Sequence, residues 1–136
     1  MLNIYGDHCS VLSKNKGADI ATQRMDELDA ASVLYATEHV GGKALDFCCG
    51  AGGQAARLAK AGAHVIGLDM PSLENAYEEH MRDQYAGSPT WGSSHFVACD
   101  MLDLSQQWLL DSKDCFSQIT CQRAIHYVPQ EDAIRI

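Results

Sequence analysis

The sequence predicts an α/β domain: a doubly wound parallel sheet with helices on both faces. Two observations predict it. Short apolar strands alternate with helical stretches along the chain. The first three strands each end at an acid or a glycine loop, as open α/β sheets require where they meet a ligand.

The elements follow in order. Residues 1–17 are irregular and mixed. From Ala18 to His39 the spacing of Ile20, Met25, Leu28, Ala31, Val33, Leu34 and Ala36 predicts a helix, uninterrupted by proline and ended by Gly41 and Gly42. Ala44-Leu45-Asp46-Phe47-Cys48 is a first buried strand, followed by Gly50, Gly52 and Gly53. Gln54 to Ala61 is an Ala- and Leu-rich helix stopped by Gly62. His64 to Leu68 is a second strand ending at Asp69. Pro71 starts a helix that continues from Ser72 to Tyr85. After a loop with Gly87, Pro89 and Gly92, His95 to Cys99 forms a third strand ending at Asp100. Leu104 to Leu110 is a short helix, Phe116 to Cys121 a fourth strand, and Pro129 to Ile136 the start of a helix. No repeat or linker interrupts this pattern. The expected division is 1–42, an irregular segment and helix serving as cap or lid, and 43–136, the sheet domain.

The totals narrow the function. The chain has 136 residues, 46% of them hydrophobic and 21% charged, which suits one domain with a real core. A net charge of -8 opposes nucleic-acid binding by bulk electrostatics. No apolar run approaches the ~20 residues that span a bilayer, so no membrane partner is expected. The six cysteines are Cys9, Cys48, Cys49, Cys99, Cys115 and Cys121. The opening MLNIYGDH has neither a basic n-region nor an apolar run, so all six are expected as reduced thiols in a cytoplasmic protein. No H-x-x-x-H or C-x-x-C pairing suggests a metal.

The strand ends carry the chemistry. Gly50 and Gly52 let backbone pass close to a ligand, and the helix from Gln54 presents N–H groups at its start. Asp69 lies about 20 residues further on, where a carboxylate can accept from both ribose hydroxyls. Asp100 can accept from an exocyclic amine, with Met70 and Met101 flanking the base. Gly50 to Ala55 also fits the dinucleotide pattern G-x-G-x-x-A, which would make the protein an NAD-dependent oxidoreductase. Asp46 opposes that reading, since a carboxylate at the mouth of the loop repels a pyrophosphate and attracts an ammonium and a sulfonium.

Leu45-Asp46-Phe47-Cys48-Cys49-Gly50-Ala51-Gly52 resembles the first motif of the class I S-adenosylmethionine-dependent methyltransferases, D-x-G-x-G-x-G. The resemblance covers roughly residues 43–136 and implies a Rossmann-like fold, S-adenosylmethionine as cofactor, and methyl transfer. It implies Asp46, Cys48, Gly50 and Gly52 in the cofactor loop, Asp69 on the ribose, and Asp100 with Met101 at the adenine. Thr120 to Tyr127 resembles the fourth-strand motif. Its Gln122 and His126-Tyr127 are similar to those of small-molecule and mRNA cap guanine methyltransferases. His126 and Tyr127 are then the candidates to position or deprotonate the acceptor. The chain lacks the [DNS]-P-P-[YFW] signature of amino-directed nucleic-acid enzymes and a Pro-Cys nucleophile, so a small-molecule acceptor is expected.

Two features depart from the family. Cys48 stands where the first glycine is usual. The family's sheet has seven strands, and four are read here. A shortened chain, a fragment, or a protein that completes its sheet by self-association are the expectations that follow, and a non-catalytic cofactor-binding module is the alternative function. Tyr5, Asp7 and His8 are candidates for a lid. Blander roles stay open for each site residue. Gly50 and Gly52 can form a plain turn, Asp69 and Asp100 can be helix caps, Cys48 and Cys49 apolar filler, and His126 and Tyr127 a packed pair. Asp26, Glu27 and Asp29 are expected to form a solvated helix face.

Overall fold

The structure is a computed structural model that describes residues 25–85, 92–104, 111, 115–122 and 130–133. Its elements are α1 (Glu27–Glu38), β1 (Lys43–Phe47), α2 (Gly53–Lys60), β2 (His64–Asp69), a 3-10 turn (Pro71–Leu73), α3 (Glu74–Tyr85), β3 (Ser93–Ala98), a second 3-10 turn (Met101–Asp103), β4 (Gln118–Thr120) and α4 (Gln130–Ala133).

The four strands form one parallel sheet in the order β3-β2-β1-β4. The expectation of a doubly wound parallel sheet holds. Phe47 pairs with Leu68, Asp69 with Ala98, and Asp46 with Thr120. The chain therefore steps outward from β1 through β2 to β3, then returns to lay β4 on the other side of β1. That reversal is a topological switch point, the place where open α/β sheets bind ligands beyond the carboxyl ends of their strands.

Right-handed crossovers put α2 and α3 on one face. There Ala44 and Val65 of the sheet meet Ala55, Leu58 and Ala59 of α2 and Tyr77 and Met81 of α3. Alanines on α2 let the helix approach the strands closely, which suits a parallel sheet buried on both sides. The return from β3 to β4 runs the opposite way, and the same handedness assigns it to the other face. On that face Leu104 and Phe116 pack on Leu45, Phe47 and Leu68.

The N-terminal helix differs from the expected one. Its first described turn is fixed by a capping box: Asp26 accepts from the N–H groups of Leu28 and Asp29, and the Asp29 carboxylate accepts from the Asp26 N–H at 3.0 Å. Asp29 is fully buried, and its carbonyl accepts from the Gln54 side chain of α2 at 3.0 Å. Leu28 and Leu34 are exposed instead. Of the expected solvated acidic face, Asp26 and Glu27 are exposed and Asp29 is a buried docking point, while of the expected apolar set Val33 and Ala36 face the core. Residues 18–24 of the expected helix, the Tyr5-Asp7-His8 lid and the helix over 105–110 lie outside the described residues.

Candidate functional site

The site is built from the loop between β1 and α2. After Phe47 the backbone turns sharply: Cys48 has φ 60, Gly50 φ 57 and Gly52 φ 86. Three left-handed residues in five make the turn, and two are glycines. Cys48 occupies the third, which explains why glycine is usual at that position of the motif it resembles. It also explains why β1 stops one residue short of the expected Cys48.

The end of β2 holds this loop in place. The Leu68 carbonyl accepts from the N–H groups of Cys48 at 2.8 Å and Cys49 at 3.2 Å. One oxygen of the buried Asp69 carboxylate accepts from the Gly50 N–H at 2.8 Å, and the other from the Met70 N–H at 2.7 Å. The Gly52 N–H closes the turn on the Cys49 carbonyl at 3.0 Å. These loop donors are directed at the protein. Beneath the loop lies Tyr77 of α3, whose ring is packed under both Gly52 and Gly67 and whose hydroxyl pairs with Ser94 Oγ at 2.8 Å. Burial pushes its phenol well above the usual tyrosine range, against the opposing effect of that hydrogen bond.

On the other side of β1, the Thr120 hydroxyl of β4 donates to the buried Asp46 carboxylate at 2.9 Å. Asp46 is thereby tied across the switch point. Asp100 caps the turn over Met101–Asp103, accepting from the Leu102 N–H at 2.9 Å. Sulfur lines the opening between these groups. The Cys48 thiol donates to Met101 Sδ at 3.5 Å, and Cys121, the residue after β4, interacts with it. The interaction with Cys121, burial, and the nearby Asp69 charge push the Cys48 thiol up. The same interaction lowers Cys121, against its burial and the charges of Asp46 and Asp69. Gln122 follows, its Oε1 buried with no hydrogen-bond partner among the described residues.

The structure links Gly50 and Met70 to Asp69, Cys48 to Met101 and Asp46 to Thr120, all at the carboxyl ends of the strands. Gly52 supports the loop from its base, and Asp100 and Gln122 follow β3 and β4. His126 and Tyr127 lie outside the described residues. Sequence reasoning missed Thr120, Tyr77 and Cys121. Cys121 carries no local signal, because its contact is across the sheet at a separation of 73 residues, a distance that only the β1–β4 register reveals. Among the described residues no group of three His, Cys, Asp or Glu side chains can hold a metal ion.

This sheet, with its loop and acids at the switch point, defines an α/β domain of the class that takes a ligand at its strand ends. Residues 44–136 match the family model of a methyltransferase domain, more than half the chain, and the chain belongs to that family. A comparison with curated protein sequences returns no match. Among solved structures it is similar to magnesium protoporphyrin IX methyltransferase from Synechocystis with bound SAH, at TM-score 0.61 and 20% identity over 79% of this chain and 46% of that one. It is similar to an S-adenosylmethionine-dependent methyltransferase from Clostridium acetobutylicum, at TM-score 0.57 and 18% identity over 96% of this chain and 49% of the other. A third is the glycopeptide N-methyltransferase MtfA complexed with sinefungin, at TM-score 0.53 and 18% identity over 76% and 40%. At these identities the likeness is one of fold, and this chain spans about half the length of the first two.

Proposed function

We propose that this chain binds S-adenosylmethionine at the switch point and serves methyl transfer to a small-molecule acceptor. The observation that carries this reading is the Gly50 N–H bonded to the Asp69 carboxylate. A loop built for a pyrophosphate turns its N–H groups outward to the anion. Here the described donors of Cys48, Cys49, Gly50 and Gly52 are all taken up by protein acceptors. An acid stands at the loop's centre and a second, Asp46, on the strand behind it. That arrangement suits a cationic ligand and disfavours NAD. The family match and the SAH- and sinefungin-bound neighbours support the same choice.

The residues fit the cofactor. Asp69 would accept from the ribose diol, its carboxylate held in place by the Gly50 and Met70 N–H groups. Gly50, Gly52 and Cys48 would shape the cradle for the amino-acid part, with Asp46 behind it. Met70, Asp100 and Met101 would border the base, and the unpartnered Gln122 oxygen would accept from a ligand donor. Bound there, S-adenosylmethionine supplies a methyl group on a cationic sulfur. The chain's own work is to align an acceptor in line with that methyl and to keep water out. His126 and Tyr127 are proposed to position the acceptor or take its proton. If His126→Ala and Tyr127→Phe leave turnover unchanged, that role is wrong.

Calorimetric titration with S-adenosylmethionine, its demethylated product and NAD tests the whole reading. Micromolar binding of the first two, lost in Asp69→Ala, is expected. Binding of NAD alone would overturn it. Among the described residues no helix is long and apolar enough to cross a membrane; a cytoplasmic location with reduced thiols is proposed on the cysteine usage. Self-association along β4, where Ile119 is 64% exposed, is proposed for sedimentation to test.

A further inference from the structure

We propose that Cys48 and Cys121 form a peroxide-oxidisable thiol pair whose disulfide closes the switch-point crevice to the cofactor; the closing effect rests on the reading above. The pair is set by topology. Asp46 of β1 is in register with Thr120 of β4, so Cys48 and Cys121 are one step off register just past two adjacent strand ends. Neighbouring strands lie about 4.8 Å apart, so the two cysteines leave from adjacent strand ends, and the left-handed turn at Cys48 frees its side chain from the strict alternation of a continuing strand; a disulfide spans about 4.4–6.8 Å at Cα. The Cys48 sulfur lies 3.5 Å from Met101 Sδ, and its thiol interacts with that of Cys121. Both cysteines are free, and Cys121 is exposed while Cys48 is half-buried.

The two thiols divide the chemistry. Cys121, the exposed member, is held toward its thiolate by its interaction with Cys48; Cys48 keeps its proton. The Cys121 thiolate attacks one oxygen of a hydroperoxide, the O–O bond breaks, and the departing hydroxide takes a solvent proton, leaving a sulfenic acid. The Cys48 sulfur then attacks that sulfur. An S–S bond forms, the S–O bond breaks, and the Cys48 proton leaves with the hydroxide as water. Two thiols and one hydrogen peroxide, with two electrons passed to oxygen, become one disulfide and two waters. Bonded sulfurs sit about 2 Å apart, well inside hydrogen-bond contact. The link therefore draws the cofactor loop toward β4, away from Met101, across the opening.

The test treats the reduced chain with hydrogen peroxide and maps thiols by alkylation and tryptic mass spectrometry. The expected product joins the peptides 44–57 and 114–123, each of which holds two cysteines. The joined peptide should persist in Cys49→Ser and Cys115→Ser and vanish in Cys121→Ser. No joined peptide in the wild type, or one that survives Cys121→Ser, overturns the pair. In parallel, S-adenosylmethionine is titrated into reduced, oxidised and dithiothreitol-treated chain. Affinity should fall at least about tenfold on oxidation, return on reduction, and stay unchanged by peroxide in Cys121→Ser. A mapped disulfide with unchanged affinity overturns the closing effect. A reduced chain that binds no S-adenosylmethionine overturns the cofactor reading and the closing effect together, while the peptide map alone decides the pair.

Discussion

Replacing Gly52 by alanine tests whether Tyr77 is the floor of the loop between β1 and α2. An added Cβ would stand 2.6 Å from Met81 Cε and 2.8 and 3.0 Å from Tyr77 Cδ2 and Cε2. The methionine methyl can rotate aside. The ring cannot, because it is 2% exposed, its hydroxyl is bonded to Ser94, and Gly67 of β2 presses on the same Cε2 edge. Overpacking of this kind costs about 1–3 kcal/mol. The left-handed backbone at φ 86 adds about 1–2 kcal/mol for a residue with a Cβ. Loss of glycine's freedom in the unfolded chain returns about 0.4–1 kcal/mol. Gly52→Ala should therefore lose about 3 kcal/mol in urea unfolding at unchanged m-value. In a Tyr77→Leu background the overpacking should vanish and the cost fall to about 1 kcal/mol. A loss below about 1 kcal/mol in the wild-type background, or equal losses in both, would refute the reasoning: the ring would then not be what the glycine is making room for.

Other expected outcomes follow from the same contacts. Thr120→Val removes the hydroxyl that donates to buried Asp46 and should cost about 2 kcal/mol, read by urea unfolding. A loss under about 0.5 kcal/mol would mean the bond adds nothing. Cys48→Gly relieves a left-handed residue and loses a half-buried thiol, so it should stay within about 1 kcal/mol of neutral. Cys48→Val, β-branched at φ 60, should cost about 2 kcal/mol or more, and equal stabilities would dismiss the strain. Stability should fall as pH rises above about 10, because Tyr77 and Tyr85 keep their protons in the folded chain to higher pH than in the unfolded one. There the unfolded state binds fewer protons, so the slope is negative, and below pH 10 this contribution is fully present. Tyr77→Phe should flatten that slope in alkaline unfolding; an unchanged slope would show that Tyr77 does not cause it. Cys121 should alkylate at lower pH than an ordinary thiol, its sulfur being held toward the thiolate by Cys48. A Cys121 profile identical to that of an ordinary thiol peptide would count against the pairing.

Much of the fold was legible because parallel strands buried on both faces announce themselves as apolar runs, and their ends as glycines and acids. The predicted strands differ from the observed ones by one or two residues. At β1 the difference has a cause, the left-handed Cys48, which no strand pattern can show. The first helix was less legible. Its apolar residues recur at helical spacing, yet Asp29 is buried while Leu28 and Leu34 are exposed. A capping box and a hydrogen bond from Gln54 outweigh the apolar stripe there, and that bond links residues 25 apart. The site was legible residue by residue along β1, β2 and β3, where each acid sits beside its own strand end. It was not legible where β4 contributes. Thr120 and Cys121 gain meaning only from lying next to Asp46 and Cys48, and sequence order places β4 last although it pairs with the first strand.

The loop's hydrogen bonds bear on what kind of ligand the crevice accepts before any is bound. A phosphate site draws its affinity from N–H groups left free to point at the anion. In this loop an internal carboxylate has taken the central N–H, and the neighbouring donors close on carbonyls. The backbone is therefore already ordered, and a ligand need not supply the hydrogen bonds that hold it. What the loop offers a ligand is the charge of Asp69, the field of Asp46, and sulfur surface from Cys48 and Met101. Hydroxyl and ammonium donors find partners in such a site, and a polarisable cationic sulfur loses less there than an anion would. At an effective dielectric of 20, a unit charge about 6 Å from a carboxylate interacts with it by about 3 kcal/mol. That magnitude, favourable for a sulfonium and unfavourable for a phosphate, separates the two cofactors by more than the glycine pattern they share.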